Sequence, residues 1–485
     1  MKTRSTLLIL SSICITLAIW LGSKWFYSDW FSDPYKYIAK ASALTALVMF
    51  SWSMLLSTRL SILERFLGGL DKVYNAHKWL GILGFLFILI HPIALALHKL
   101  PNFLGFIYYF ALRDFDTLKN AGFNLGIAAI LLLISLISMI RNPKIPYHIW
   151  KKSHEFMSLF YGVAVLHTLL VDGDIKKYPI LAVWMYAWVL VGVASGIYIR
   201  FLYEKIGPKY QFEIRKIKTD SDITEIYLSP VDEKRFSFKP GQFVYIDFIN
   251  PAMPRESHPY SIACEPNIEG NILLGIKKLG DHTSHIGVLK EGDKALVFGP
   301  YGNFAEKFLQ AKKDCVCIGG GIGITPFMGI WDMALNSDEA VCLDDSHELK
   351  DFCDIAVQKW KSPRVHMFYS VKESGEAVFD RNFRQSALKS EASGFANYKT
   401  REHSYYLNCA DKDGFLTVEK IQKSVGNLGD KWFMICGPKG MTNALISQLK
   451  NKGVKNSQII CEDFEMRGID TSWIRTLFRR TEVKK

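Results

Sequence analysis

The chain has 485 residues, enough for several domains, with 49% hydrophobic residues, nine cysteines and a net charge of +12. No basic stripe with interleaved aromatics suggests nucleic acid, so the positive excess needs another explanation. The cysteines form no CxxC pair, and most fall in the half read below as cytoplasmic, which points to reduced thiols rather than a disulfide framework.

Composition splits the chain near residue 203. Before it lie six apolar runs: Leu7 to Leu21, Ile38 to Leu56, His77 to Leu97, Asn124 to Ile140, His154 to Val171 and Ile180 to Phe201. Each is near the length needed to cross a hydrocarbon core of about 30 Å, though the first is short. That run follows Lys2 and Arg4, as a signal peptide's would. However, no small-residue cleavage site follows it, and Trp20, Trp25 and Phe26 look like an interfacial belt. Positive charge collects at the N-terminus, in the loop with Arg59, Arg65, Lys72 and Lys78, and in the loop with Arg141, Lys144, Lys151 and Lys152. These should face the cytoplasm, which puts both ends of the membrane segment inside.

Four histidines stand out within this apolar half. His77 and His91 are 14 residues apart on one run, and His154 and His167 are 13 apart on another. Ionisable side chains are costly in a bilayer, and two pairs at nearly equal spacing ask for a functional cause. Haem ligation supplies one: 14 residues of helix rise roughly 21 Å, room for two haems at different depths, each held by one histidine from each helix. His77 with His154 would hold the inner haem, and His91 with His167 the outer. At roughly 100° per residue the 14-residue step leaves its rings about 40° apart and the 13-residue step about 140°, so overwinding or a bend is expected near Gly162, or a crossing that turns both rings to the partner. Histidines can instead satisfy polar groups inside a bundle, which explains one more easily than four. His98 and His148 lie at segment ends and read as interfacial.

From Tyr210 to Pro300, short β-rich runs separated by turns argue for a small antiparallel barrel: Gln211 to Ile217, Thr224 to Leu228, Gln242 to Phe248, Ile272 to Ile276 and Ala295 to Val297. Within it, His258, Pro259, Tyr260 and Ser261 could lay an aromatic ring against an isoalloxazine with a hydroxyl nearby. By itself that stretch is only a barrel edge with a turn. Lys278, Gly280 and Thr283 follow about one hairpin later and offer a cation, amides and a hydroxyl to a pyrophosphate. The buried-strand pattern at Cys315 to Ile318 then runs into Gly319, Gly320, Gly321, Gly323, Thr325 and Pro326, a glycine turn entering a helix as dinucleotide sites require. Further strands are expected at Val365 to Ser370 and Trp432 to Cys436, the second ending in the turn Cys436, Gly437, Pro438.

Taken together, these motifs resemble the ferric reductase and NADPH oxidase superfamily of transmembrane flavocytochromes, in a bacterial-looking form, over nearly the whole length. The resemblance implies a six-helix transmembrane bis-haem bundle (residues 1–203). It implies next a ferredoxin-reductase-like module, made of an antiparallel FAD-binding β-barrel (207–308) and an α/β NAD(P)-binding domain (309–467), with a basic tail at 468–485. It further implies haem-ligating histidines 14 and 13 residues apart on the third and fifth helices, a flavin motif at His258 to Ser261, a nicotinamide motif at Gly319 to Pro326, and Cys436 to Pro438 beside the nicotinamide ring. Phe464 would be the terminal aromatic that covers the flavin until nicotinamide displaces it. The implied activity passes electrons from cytoplasmic NADPH or NADH through FAD and two haem b to an acceptor beyond the cell membrane, outer-sphere if both axial positions are filled. Oxygen giving superoxide is the first reading, ferric chelate the second, and an electron-transfer subunit or haem-binding membrane protein serving another partner the third.

Departures from the pattern are an acidic insertion near Ser337 to Trp360, a tail that overruns the usual terminus, and no match to an outer-face arginine or a histidine one turn beyond His91. The tail could touch anionic lipid or remain solvated. Ser370 and Lys372, with Arg381 and Arg384 nearby, could meet a 2′-phosphate, and no acid in the Tyr369 to Lys372 turn claims the ribose diol, which favours NADPH. Regulatory and oligomeric partners are left open.

Overall fold

The computed structural model describes residues 3–142, 144–171, 173–231, 235–302, 304–311, 313–336, 362–385 and 403–461. The acidic insertion, Phe464 and the basic tail lie outside the described residues. Contacts divide the chain into two compact units, Met1–Gly207 and Pro208–Lys485.

Among the described residues of the first unit, six helices are long and apolar enough to cross a membrane. They are α1 (Thr3–Phe26), α2 (Pro34–Leu56), α3 (Leu70–Leu97), α4 (Leu118–Arg141), the pair α5 (Tyr147–Glu155) and α6 (Met157–Val171), and α7 (Pro179–Ile197). The first span is 22 residues, Ser5–Phe26, longer than its apolar run suggested. Local chemistry sets the helix starts. Asp33 accepts from the Tyr35 amide at 2.8 Å with Pro34 in the first turn, and Thr117 accepts from the Asn120 amide at 3.1 Å. Side by side, α2 packs on α3 and α4 on α6.

The irregularity between His154 and His167 falls at Phe156, not at Gly162. There α5 stops and α6 begins, and the Phe156 amide reaches back only three residues, to the Ser153 carbonyl at 3.3 Å. Such a tight turn advances the rotation faster than an α-helix does, which is the direction a 13-residue step requires.

At the end of the bundle where α1 stops, the ammonium of Lys24 is fully buried. It lies 3.3 Å from Asp29, 3.5 Å from Asp174 and 3.6 Å from the centre of the Phe31 ring, while Trp20 donates to Asp174 at 3.0 Å. A buried cation persists only with such partners. His98, read from sequence as interfacial, pairs with Asp33 at this same end.

The second unit begins with six antiparallel strands: β1 (Lys209–Asp220), β2 (Ile223–Pro230), β3 (Phe243–Ile249), β4 (His258–Ser261), β5 (Ile272–Lys277) and β6 (Lys294–Tyr301), in the order β4-β3-β6-β1-β2-β5. The two edges meet through a bridge between Ile262 and Leu274 and the Ala263 amide on the Leu273 carbonyl at 2.8 Å, so the sheet curls toward a barrel. Phe212, Ile226, Val244, Ile246, Leu274 and Val297 fill it.

Five parallel strands follow in the order β11-β10-β7-β8-β9: β7 (Cys315–Gly320), β8 (Val365–Val371), β9 (Ser404–Cys409), β10 (Trp432–Cys436) and β11 (Ile459–Cys461). Alternate residues serve opposite faces. Val316, Ile318, Phe433 and Ile435 enter one core, while Cys315, Cys317, Met434 and Cys436 enter the other with Phe327 and Trp331 of α8 (Thr325–Leu335). Strands β9 and β11 are absent from the sequence reading.

Candidate functional site

The structure brings the four membrane histidines into two facing pairs. The ring centres of His77 and His154 are 5.7 Å apart at 72°, and those of His91 and His167 are 6.4 Å apart at 71°. Two imidazoles on opposite sides of one metal, each nitrogen at about 2 Å, place their ring centres roughly 6 Å apart. Both pairs therefore fit bis-histidine ligation of haem.

Backbone carbonyls on neighbouring helices orient three of the rings. Nδ1 of His77 lies 2.8 Å from the Ser53 carbonyl and 2.9 Å from its hydroxyl, Nδ1 of His91 2.8 Å from the Ala39 carbonyl, and Nδ1 of His167 2.8 Å from the Gly122 carbonyl. A carbonyl only accepts, so Nδ1 carries the proton and Nε2 keeps the lone pair a metal requires. His154 differs: its Nδ1 has no hydrogen-bond partner among the described residues, and its ring lies parallel to Trp150, at 6° and 5.5 Å. A Cβ on Gly126 would sit 2.6 Å from His167 Nδ1, so that glycine lets the ring lie against α4.

Sequence reasoning missed these orienting groups because a backbone carbonyl leaves no sequence signal. It also found no match to an outer-face arginine, and Arg113 lies at the His167 end of the bundle. Its guanidinium lies 3.5 Å over Phe123, beside the Gly122 that anchors His167. Asn124 brackets its backbone, accepting from the amide at 2.9 Å and donating to the carbonyl at 2.7 Å.

In the second unit, β4 carries His258, Pro259, Tyr260 and Ser261 along the sheet edge, paired to β3. The Tyr260 hydroxyl is buried with no hydrogen-bond partner among the described residues, and burial pushes its pKa above the usual phenol range. A buried hydroxyl in that state fits a polar oxygen of a flavin nucleotide. The Thr283 hydroxyl accepts from the Leu279 amide at 2.9 Å and the Gly280 amide at 3.0 Å, closing on the amides that sequence offered to a pyrophosphate. The amide of Lys278 donates to the Asp222 carbonyl at 2.8 Å.

The two glycine turns of the parallel sheet abut. Gly319 is in register with Cys436 across β7 and β10. A Cβ on Gly323 would lie 2.7 Å from the Cys436 carbonyl oxygen, and one on Gly437, whose φ is +154°, would lie 3.0 Å from Gly320 Cα. Gly321 has φ +55°, and Thr325 and Pro326 open α8 directly behind it. Backbone bare enough for close approach, at the carboxyl ends of adjacent parallel strands, fits a dinucleotide. Cys436 itself is 2% exposed, and Pro438 leads into a helix over Lys439–Asn451.

Around the turn that sequence offered to a 2′-phosphate, acidic residues from other segments gather. The Asp411 amide donates to the Lys372 carbonyl at 3.0 Å, and the Asp411 carboxylate accepts from the Ser374 hydroxyl at 3.1 Å. Glu376 accepts from the Lys372 amide at 3.3 Å. Acids absent from the turn in sequence are thus present in space. Arg384 pairs with Asp380 at 3.0 Å, and Arg381 lies 3.6 Å from Glu225.

Three family models match in series: ferric reductase like transmembrane component over residues 42–165, FAD-binding domain over 210–304, and oxidoreductase NAD-binding domain over 317–446. A superoxide-generating NADPH oxidase heavy chain of Dictyostelium discoideum is 25% identical over 397 residues, covering 69% of this chain and 54% of that one. A component of the Na(+)-translocating NADH-quinone reductase of Pseudoalteromonas atlantica is 28% identical over 261 residues, covering 50% and 55%. The chain spans about half the length of these curated relatives. Among solved structures, flavohemoglobin from Malassezia yamatoensis aligns at 16% identity and TM-score 0.43, covering 77% of this chain and 93% of that one.

A ferric-reductase-like membrane component joined to FAD- and NAD-binding domains defines a multi-pass flavoprotein of the transmembrane oxidoreductase class. The chain belongs to the ferric reductase and NADPH oxidase superfamily.

Proposed function

We propose that this chain carries electrons from reduced nicotinamide dinucleotide across the cell membrane to an acceptor outside the cytoplasm, with oxygen, reduced to superoxide, as the first acceptor. The carrying observation is the pair of facing imidazole couples, 5.7 and 6.4 Å between ring centres, on residues that α3 separates by roughly 21 Å of rise. FAD held by Tyr260 and Ser261 would supply the conversion of a two-electron hydride donor into single electrons, and haems held by His77 with His154 and His91 with His167 would each accept one electron at a time. One nicotinamide thus reduces two oxygen molecules and leaves one proton on the donor side.

The chain's own residues bind, orient and insulate. Three carbonyls orient His77, His91 and His167 so that Nε2 of each would face a metal, and the Phe156 turn adds rotation between His154 and His167. Tyr260 and Ser261 seat the flavin, and Gly319 to Pro326 with Gly437 and Pro438 admit the nucleotide. Cys436 closes the floor beside the nicotinamide ring. Arg59, Arg65, Lys72 and Lys78 lie at the His77 end, which favours that end as cytoplasmic. Asp411 and Glu376 beside Lys372 disfavour a 2′-phosphate there, so the sequence's lean toward NADPH turns toward NADH.

Ferric chelate is the second reading, favoured by the match of residues 42–165 to a ferric-reductase-like component. Purified protein supplied with NADH or NADPH separates the two. Dye reduction abolished by superoxide dismutase supports oxygen, and dismutase-insensitive reduction of a ferric chelate supports the metal. Haems that reduce with neither acceptor responding would favour a subunit serving another partner.

A further inference from the structure

Three side chains at the flavin seat, one of them the first residue of the flavin motif, form a cluster of metal-ligating groups. The Glu256 carboxylate lies 3.2 Å from Nε2 of His258, and the His258 ring stacks on His282 with centres 3.9 Å apart and planes 26° from parallel. One ligand atom from each residue falls within 4.8 Å of the other two. All three are sheltered: His282 is 8% exposed, and the side chains of His258 and Glu256 are 15% and 17% exposed.

The set suits one class of ligand. Two imidazoles and a carboxylate are a common protein complement for a tetrahedral divalent metal with a fourth position open, and hard cations such as magnesium prefer oxygen throughout. In a tetrahedron with bonds of about 2.0–2.1 Å the ligand atoms stand about 3.3 Å apart. The Glu256 to His258 distance already meets that edge. His282 needs a ring rotation that brings its nitrogen in by up to about 1.5 Å and turns it out of the stack.

Position gives the cluster its consequence. His258 begins β4, the strand of the flavin motif, and His282 precedes Thr283 in the turn expected to take the pyrophosphate. Rings 3.9 Å apart admit no group between them, so an ion joining them would hold these two segments together.

We propose that Glu256, His258 and His282 form a divalent transition-metal site of the zinc class whose occupation closes the flavin seat, making metal and FAD alternative ligands. This rests on the reading of His258 to Ser261 as a flavin motif.

The test uses the full chain, purified in detergent and stripped of flavin and metal. FAD is titrated by quenching of its fluorescence, with chelator present and then with buffered zinc at ten times its own dissociation constant. Mutual exclusion lowers the apparent FAD affinity about tenfold under that condition. Cobalt supplied in place of zinc gives the visible absorption of a four-coordinate site, lost on saturation with FAD. Glu256→Gln and His282→Gln each remove the zinc effect, and either variant suffices if the other does not fold. Unchanged FAD affinity with zinc bound, or a zinc effect that survives in both variants, overturns the proposal. Failure of the metal-free protein to bind FAD would instead overturn the flavin reading beneath it.

Discussion

The two histidine pairs, proposed for the same task, have different support. At the outer pair, both Nδ1 atoms donate to carbonyls, of Ala39 on α2 and Gly122 on α4. At the inner pair, His77 has both oxygens of Ser53, while His154 relies on the face of Trp150. A carbonyl fixes tautomer and direction together, whereas a stacked ring fixes only the plane. The outer site is therefore the more preorganised, and His154 is the ligand most sensitive to its surroundings.

The comparison breaks most severely when a ligand goes. Replacing any one of His77, His91, His154 or His167 with leucine lowers haem content from two to about one per chain and stops delivery to the external acceptor. Full haem content in a variant removes that residue from the ligand set. Next in size is Gly126→Ala, whose Cβ would lie 2.6 Å from His167 Nδ1. Crowding of that kind costs about 1–3 kcal/mol and should weaken the outer haem alone. Gly84→Ala meets only the Phe50 ring, at 3.1 Å, and serves as the milder control.

Smaller effects sharpen the inner site. Trp150→Leu removes a stacking contact of about 0.5–1.5 kcal/mol and should reduce inner-haem affinity by up to about tenfold. Ser53→Ala keeps the carbonyl and should cost no more than about 1 kcal/mol. Haem titration of the apoprotein ranks them, and the reverse order would contradict the assigned support of His154.

The smallest effect belongs to the charged cluster at the end of the bundle where α1 stops. Hydrogen bonds from Lys177 and Tyr178, aided by Lys24, hold the Asp29 carboxyl well below its ordinary value of 3.8. A depressed carboxyl gives stability that is complete above its unfolded pKa and lost as pH falls through the folded one. Thermal stability of the membrane unit should thus show no pH dependence from Asp29 between about pH 8 and pH 5, then fall in acid, and Asp29→Asn should flatten the acid limb.

Much of this was legible in the sequence, for identifiable reasons. The spans are set by apolar length, and the facing histidines are ionisable residues where lipid forbids them, so both are written in residue type. Glycine turns at strand ends were legible because only glycine permits the approach of Gly323 to Cys436. What escaped depends on spatial neighbours: the carbonyls of Ala39 and Gly122, the tight turn at Phe156, and Asp411 arriving just after β9 at Lys372, two segments 39 residues apart. Strands β9 and β11 escaped too, being six and three residues long at the two edges of the sheet.

The most direct test is a haem count with ligation state on the purified full chain, by pyridine haemochrome against protein concentration and low-temperature electron paramagnetic resonance. Two haem b per chain, both low-spin with two imidazole ligands, is the expected result. One haem or none after expression with ample haem supply, or a high-spin five-coordinate iron in the unmodified protein, would contradict the facing histidine pairs as the electron path.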